Sequence, residues 1–198
     1  MMKRRYAWPM LMLALVLAGL AGCAQVSQVS TGTVVVKERL LVDVADPWNQ
    51  FERGALAQTP TWTNEGLFVD ALQFYVGIKD GELLAPTPSE PKGTPALTFR
   101  ASMQASEVAE LFQSLWSRGG SSFTLERIEP HPFLGGSGFR FEYSVIRKID
   151  DVRLQGVAWG LVRNGELFVI NYSAPRLSFF ARYRARVELI AKSARVRS

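Results

Sequence analysis

Val152–Tyr172 reads VRLQGVAWGLVRNGELFVINY. Two apolar runs flank Asn164-Gly165, a dipeptide that readily supplies the two left-handed residues of a two-residue hairpin turn. Val152 to Val162 is therefore expected as one strand, and Leu167 to Tyr172 as its antiparallel return. Working upstream, Phe139, Phe141, Tyr143 and Val145 alternate with Arg140, Glu142 and Ser144. That period of two predicts a half-buried strand, with Asp150-Asp151 turning the chain into the next one. Phe123, Leu125 and Ile128 predict a further strand that stops at Pro130. Downstream, Pro175 closes the sheet, and a helix is expected from Ser178 to Ala191. Its buried stripe is Phe180, Tyr183, Val187 and Ile190.

The first half of the chain is less regular. Val34 to Val44 predicts a strand, or two short ones, entering the sheet. Asp46-Pro47-Trp48-Asn49 reads as a turn carrying a large aromatic, and Trp62-Thr63-Asn64-Glu65-Gly66 as a second aromatic corner. Leu67 to Ile78 favours a strand with Asp80-Gly81 as its turn, helix being the competing reading of its first half. Ala85 to Pro95 holds Pro86, Pro88, Pro91 and Pro95 and is expected as a surface loop. Leu97 to Arg100 predicts a short strand leading into a helix from Ala105 to Ser117. There Val108, Leu111, Phe112, Leu115 and Trp116 make an apolar stripe at helical spacing. Glu107 and Glu110 suit the positive end of the helix dipole, and Gly119-Gly120 ends the helix. Strands, helix, antiparallel strands and a last helix add up to an α+β fold, an antiparallel β-sheet flanked by helices.

The N-terminus sets the address. Lys3, Arg4 and Arg5 precede the uncharged run Met10 to Leu20, which has the length of a signal-peptide core and is too short to span a bilayer. Leu20-Ala21-Gly22-Cys23 follows and resembles a bacterial lipobox, in which the cysteine is alkylated with diacylglycerol and the chain is cut just before it. The alternative is an ordinary secretory signal in which Cys23 is incidental. The expected organisation is a signal peptide over 1–22, a lipidated flexible tether over 23–33 and one α+β domain over 34–198. Ala24 is not the aspartate associated with inner-membrane retention. An outer-membrane anchor facing the periplasm is therefore expected, with inner-membrane retention as the alternative.

Composition narrows the function classes. The chain has 198 residues and a formal net charge of +5, but three of those charges are Lys3, Arg4 and Arg5. So small a remainder argues against nucleic acid as a partner. Cys23 is the only cysteine and His131 the only histidine. With Cys23 lipidated there is no disulfide and no thiol nucleophile, and most zinc sites and Ser-His or Cys-His devices become hard to build. No catalytic set, cofactor site or metal site is expected.

GGSGFRFEYSV (135–145) with GVAWGLVRNGELFVINYSAPRLSFFARYRARVELIAKSARV (156–196) resembles the second half of the Mog1/PsbP-like fold. The shared marks are a glycine-led aromatic strand, a hairpin with an aliphatic return, a small-residue break at Ser173-Ala174-Pro175 and a closing helix. The whole chain also resembles uncharacterised proteobacterial lipoproteins of similar length. The resemblance implies an α/β/α sandwich. Members of the wider fold are photosystem accessory subunits, a Ran-binding protein and envelope lipoproteins, and no shared active site transfers to this sequence.

Individual candidates are few. His131, between Pro130 and Pro132, could be a general base or ligand, with Glu129 the nearby carboxylate, or simply a loop residue. Gly135-Gly136-Ser137-Gly138 could cradle phosphate, but a strand follows where a helix is needed, so a tight turn is the plainer reading. Arg176, Arg182, Arg184, Arg186, Lys192, Arg195 and Arg197 make the C-terminal region basic. Arg182 and Arg186 share a helical face that could touch head groups or an acidic partner. Trp116 and Trp159 read as core, whereas Trp48 and Trp62, at corners, are the aromatics expected to contact a ligand or partner. Asp150 and Asp151 point oppositely on a strand and suit a turn. The leading expectation is a non-catalytic envelope protein that binds another protein or assists an assembly. A small-ligand or lipid carrier with a pocket near Trp48 and Trp62 is the alternative, and a hydrolase around His131 the third.

Overall fold

A computed structural model describes residues 26–51, 58–85 and 95–197. Cys23, the segment before it and residues 86–94 of the proline-rich loop lie outside the described residues. The fold is α+β, built on an eight-stranded, wholly antiparallel sheet.

The hairpin turning at Asn164-Gly165 is its centre. β9 (Arg153–Arg163) and β10 (Glu166–Pro175) pair along their full length through Asn164-Gly165, both left-handed at φ 53° and 77°. β8 (Gly136–Ile146) lies beside β9, and β7 (Ser122–Phe133) forms one edge of the sheet. On the other side of β10 come β6 (Ala71–Lys79), β5 (Thr61–Thr63), β4 (Trp48–Phe51) and β1 (Val26–Val29). β2 (Gly32–Val36), β3 (Leu40–Val44) and β11 (Arg195–Val196) make a separate three-stranded sheet, so the Val34 region does not enter the main one.

Two helices cover opposite faces. α1 (Ala105–Ser117) keeps the expected bounds, and its backbone start is held by the Gln104 N–H donating to the Glu107 carboxylate at 2.7 Å. It packs Val108, Ala109 and Phe112 against Tyr75, Phe141, Tyr143 and Val169. α2 (Ala181–Ser193) is entered through a π-helical turn at Arg176–Phe180, not directly at Ser178. With the small sheet it buries Tyr183, Val187 and Ile190 against Trp159, Phe168, Ile170 and Tyr172. Strands β9 and β10 therefore carry apolar residues on both parities, because both of their faces are covered.

Several expectations are corrected. Val26–Val29, part of the expected tether over 23–33, pairs with β4 from Val26↔Phe51 to Val29↔Trp48. Its polar residues are tolerated because an edge strand needs only backbone partners and one buried side chain. β6 starts at Ala71, not Leu67, because Gly66 and the hydrogen bonds from Val69 and Asp70 to its carbonyl turn the chain first. Leu97 to Arg100 makes only a single bridge, Leu83↔Thr98. β7 runs through Pro130 instead of stopping there. The two-residue turn at Leu134-Gly135 closes on Phe133↔Gly136, so Pro132 and Pro130, at alternate positions, direct their nitrogens to the free edge. A proline there forfeits no ladder bond and blunts the edge against further pairing.

Candidate functional site

Among the described residues, a concavity lies where the tip of the β7–β8 hairpin meets the C-terminal half of α2. It encloses about 610 Å³. Alternation along β7 turns Glu129, His131 and Phe133 to this side, and the Leu134-Gly135 turn closes its end. β8 contributes Arg140, β9 contributes Trp159, and α2 contributes Arg184, Glu188, Ala191 and Lys192.

Arg140 organises the charge. Its side chain is only 9% exposed, beneath α2 and over the Trp159 ring at 5.8 Å. Such a guanidinium must be paired. It binds Glu142, reaches Glu129 at 3.3 Å and faces Glu188 at 4.0 Å. Arg184 closes the circuit, to Glu142 at 3.2 Å and to Glu188 at 2.8 Å one helical turn on. The Glu188 hydrogen bond, reinforced by the Glu142 charge, outweighs partial burial and raises the Arg184 pKa further. Arg140, Glu142, Arg184 and Glu188 thus form a ring of alternating charges that ties α2 to β8. Trp159, Phe133 and Leu134 supply an apolar wall, while half-buried His131 and exposed Lys192 stand at the rim.

The residues anticipated from sequence are distributed differently. Trp48 and Trp62 are not corner aromatics: each is 1% exposed. Short strands β4 and β5 turn them into the core, Trp48 edge-on to Tyr172 and Trp62 against Phe74 with ring centres 4.5 Å apart. Neither lines the cleft, so a pocket near them is corrected to one beside Trp159. Arg182 and Arg186 do share a face of α2, but each has an in-chain carboxylate. Arg182 meets Glu65 at 3.3 Å, and Arg186 meets Asp46 at 2.9 Å while lying over Trp48. His131 is a strand residue paired with Gly138, not a loop residue, and it faces the cleft. Gly135 makes the hairpin turn, as the plainer reading had it. Asp150 belongs to a turn, holding Arg147 at 2.5 Å.

Sequence reasoning missed Arg140, Glu142 and Glu188. Arg140 and Glu142 sit on the polar parity of an alternating strand, and only the return of α2, more than forty residues later, covers them. Among the described residues no cluster of histidine, cysteine and carboxylate side chains could hold a metal ion, and no helix is long and apolar enough to cross a membrane.

No family profile and no curated protein matches the sequence. Solved structures do. The solution structure of cyanobacterial PsbP (CyanoP) from Synechocystis sp. PCC 6803 superposes with a TM-score of 0.56 at 17% identity, covering 90% of this chain and 96% of that one. The crystal structure of LpqN, involved in cell envelope biogenesis of Mycobacterium tuberculosis, aligns over 90% of this chain and 88% of its own at 10% identity. Its TM-score of 0.36 bears on neither fold nor function. The likeness to CyanoP, nearly end to end, is one of architecture, and it makes this chain a PsbP-like α+β fold.

Proposed function

We propose that the protein is a lipid-anchored envelope lipoprotein, held through Cys23 at the outer membrane and facing the periplasm, which binds another protein as a non-catalytic accessory. Leu20-Ala21-Gly22-Cys23 supports the anchor. The cleft carries the binding role: Glu129, Arg140, Arg184 and Glu188 are paired within the chain beside an apolar wall, which favours contact over reaction. Polar groups already held in place present a shaped surface without a large ordering cost on association. A PsbP-like architecture is compatible with such a role and does not by itself assign it.

A second reading has its own observation. The cleft volume lies within the range that takes a small molecule, and Trp159, Phe133 and Leu134 would suit the apolar body of a ligand. Native mass spectrometry of the protein, gently extracted from its host's membranes, separates the two. A reproducible added protein mass, lost in Trp159→Ala, supports the accessory role. An added small mass with the same dependence replaces it with a carrier, and a bare lipidated monomer supports neither. The anchor is tested by Cys23→Ser, which should abolish lipid labelling and leave unprocessed precursor; normal processing of that variant would mean ordinary secretion.

A further inference from the structure

We propose that one end of the main sheet is a contact surface for an anionic phospholipid bilayer. Phe68, Ile149 and Leu177 would enter the head-group region there, and Arg153 and Arg176 would hold lipid phosphate. The proposal rests on the lipid-anchored reading above.

The register brings these residues to one place. Ala71 pairs with Ser173, Pro175 with Leu154, Leu154 with Val145, and Ile146 with Ser122. The turn before β6, the β8–β9 turn and the π-helical turn after β10 therefore project from the same end. Each carries one strongly exposed large apolar side chain: Phe68 at 77%, Ile149 at 81% and Leu177 at 95%. These are the most exposed large hydrophobics among the described residues. Scattered singly they would need no account, but three on adjoining turns make a surface feature. Two of the turns are clamped together, since Arg147 donates to the Phe68 carbonyl at 2.9 Å and binds Asp150 at 2.8 Å.

The charge beside them is mainly positive. Lys148, Arg153 and Arg176 are exposed, and among the described residues none has a carboxylate partner, in contrast to Arg182, Arg184 and Arg186. Arg147 neutralises Asp150, leaving Asp151 and, hydrogen-bonded to Gln155 near the hollow, Glu126 as exposed acids set against these three cations. Arg153 and Arg176 also line a hollow of about 180 Å³ with Ser122, Thr124 and Ser144, next to Ile146. Two guanidiniums and three hydroxyls suit the oxygens of a tetrahedral phosphate. Apolar tips projecting beside a phosphate-sized cationic hollow match the order of acyl chain and head group in a lipid leaflet. Free phosphate would leave the tips without a role.

The test uses the full chain, lipidated in a bacterial host and reconstituted into vesicles. With Cys23 acylated, a single introduced cysteine is the only thiol. Spin labels are placed at Ile149→Cys and Leu177→Cys, with Lys79→Cys at the opposite end of β6 as the water-exposed reference. On phosphatidylglycerol-containing vesicles, collision with a water-soluble nickel chelate should fall about fivefold at 149 and 177 relative to 79. Adding Arg153→Gln and Arg176→Gln should restore it. Labels at 149 and 177 as water-exposed as 79 would overturn the proposal. So would protection that appears only in native membranes, which would indicate a protein, or a response to inorganic phosphate without immersion, which would indicate an ion site alone. Flotation reads the anchor separately: a chain that fails to float overturns the anchor reading and this proposal with it. A chain that floats with exposed tips overturns this proposal alone.

Discussion

On the α1 face of the main sheet, the Tyr143 and Phe139 rings lie over Gly156 and Gly160, their direct cross-strand partners. On the α2 face of the same strands, Arg140 and Glu142 sit one residue away from those rings and meet Arg184 and Glu188. The first face is dry and aromatic, with Phe112 of α1 edge-on to Tyr75 at 4.9 Å. The second face ends in a ring of ion pairs and an open cleft. Strand alternation makes this division available at no topological cost: one parity of β8 serves the core and the other a surface that a helix only half covers. Specifying the fold and lining an open cleft are thus separated by one residue of register.

The largest effect is expected from the dry face. A β-carbon on Gly156 would stand 2.1 Å from the Tyr143 ring, and that ring is held by its hydroxyl donating to Asn171 at 2.8 Å. Gly156→Ala must displace the ring or part β8 from β9, and should cost about 3 kcal/mol. Urea unfolding measures it. A loss under about 1 kcal/mol would mean that the aromatic layer is looser than its geometry implies, and the contrast between the faces would weaken.

The same division decides what could be read in advance. The bounds of α1 were legible because its stripe of Val108, Leu111, Phe112, Leu115 and Trp116 is local and Gly119-Gly120 stops it. The β9–β10 hairpin was legible because Asn164-Gly165 carries its own turn chemistry. The burial of Trp48 and Trp62 was not, since β4 and β5 are three or four residues long and bordered by Pro47, Asn64 and Gly66, which read locally as turns. Pro130 misled for the opposite reason: its effect depends on β7 being an edge, a fact of strand order and not of the residue. The cleft was least legible of all. The polarity of Arg140 reads as solvent exposure until α2 returns over it, and His131 alone was singled out there, without the charges that surround it.

A smaller effect is expected at the charged face. Arg140→Met removes a mostly buried guanidinium but leaves Arg184 on Glu142 and Arg127 on Glu129, the latter at 2.5 Å. The carboxylates are therefore not orphaned, and the cost should be about 2 kcal/mol instead of the 3–5 typical of a stranded buried charge. Adding Glu142→Gln to Arg140→Met should cost less than the sum of the two single changes, because the pair is coupled. Strict additivity in urea unfolding would show that the ring is a coincidence of proximity. A loss equal to that of Gly156→Ala would make the charged face as much a core as the dry one.

The smallest effect tests a clip far from the cleft on the same face. Arg39, in the β2–β3 turn, reaches across to β10, where its guanidinium lies 5.5 Å from the Phe168 ring centre and makes two bonds to Glu166, at 2.9 and 2.6 Å. That hydrogen-bonded pairing, more than the charge attraction alone, holds the Glu166 carboxyl below its ordinary pKa against the opposing effect of partial burial. A depressed carboxylate pKa contributes stability above the unfolded-state value and loses it as pH falls through the folded-state value. Arg39 is 42% exposed, so solvent screens the pair, and Glu166→Gln should cost only about 1 kcal/mol at neutral pH. The gap between parent and variant in urea unfolding should shrink as the solution is acidified below the ordinary carboxylate range. A gap that stays constant would assign the loss to packing around Arg39 and Phe168. A gap that widens would reverse the sign of the Glu166 shift and remove this clip from the electrostatics of the α2 face.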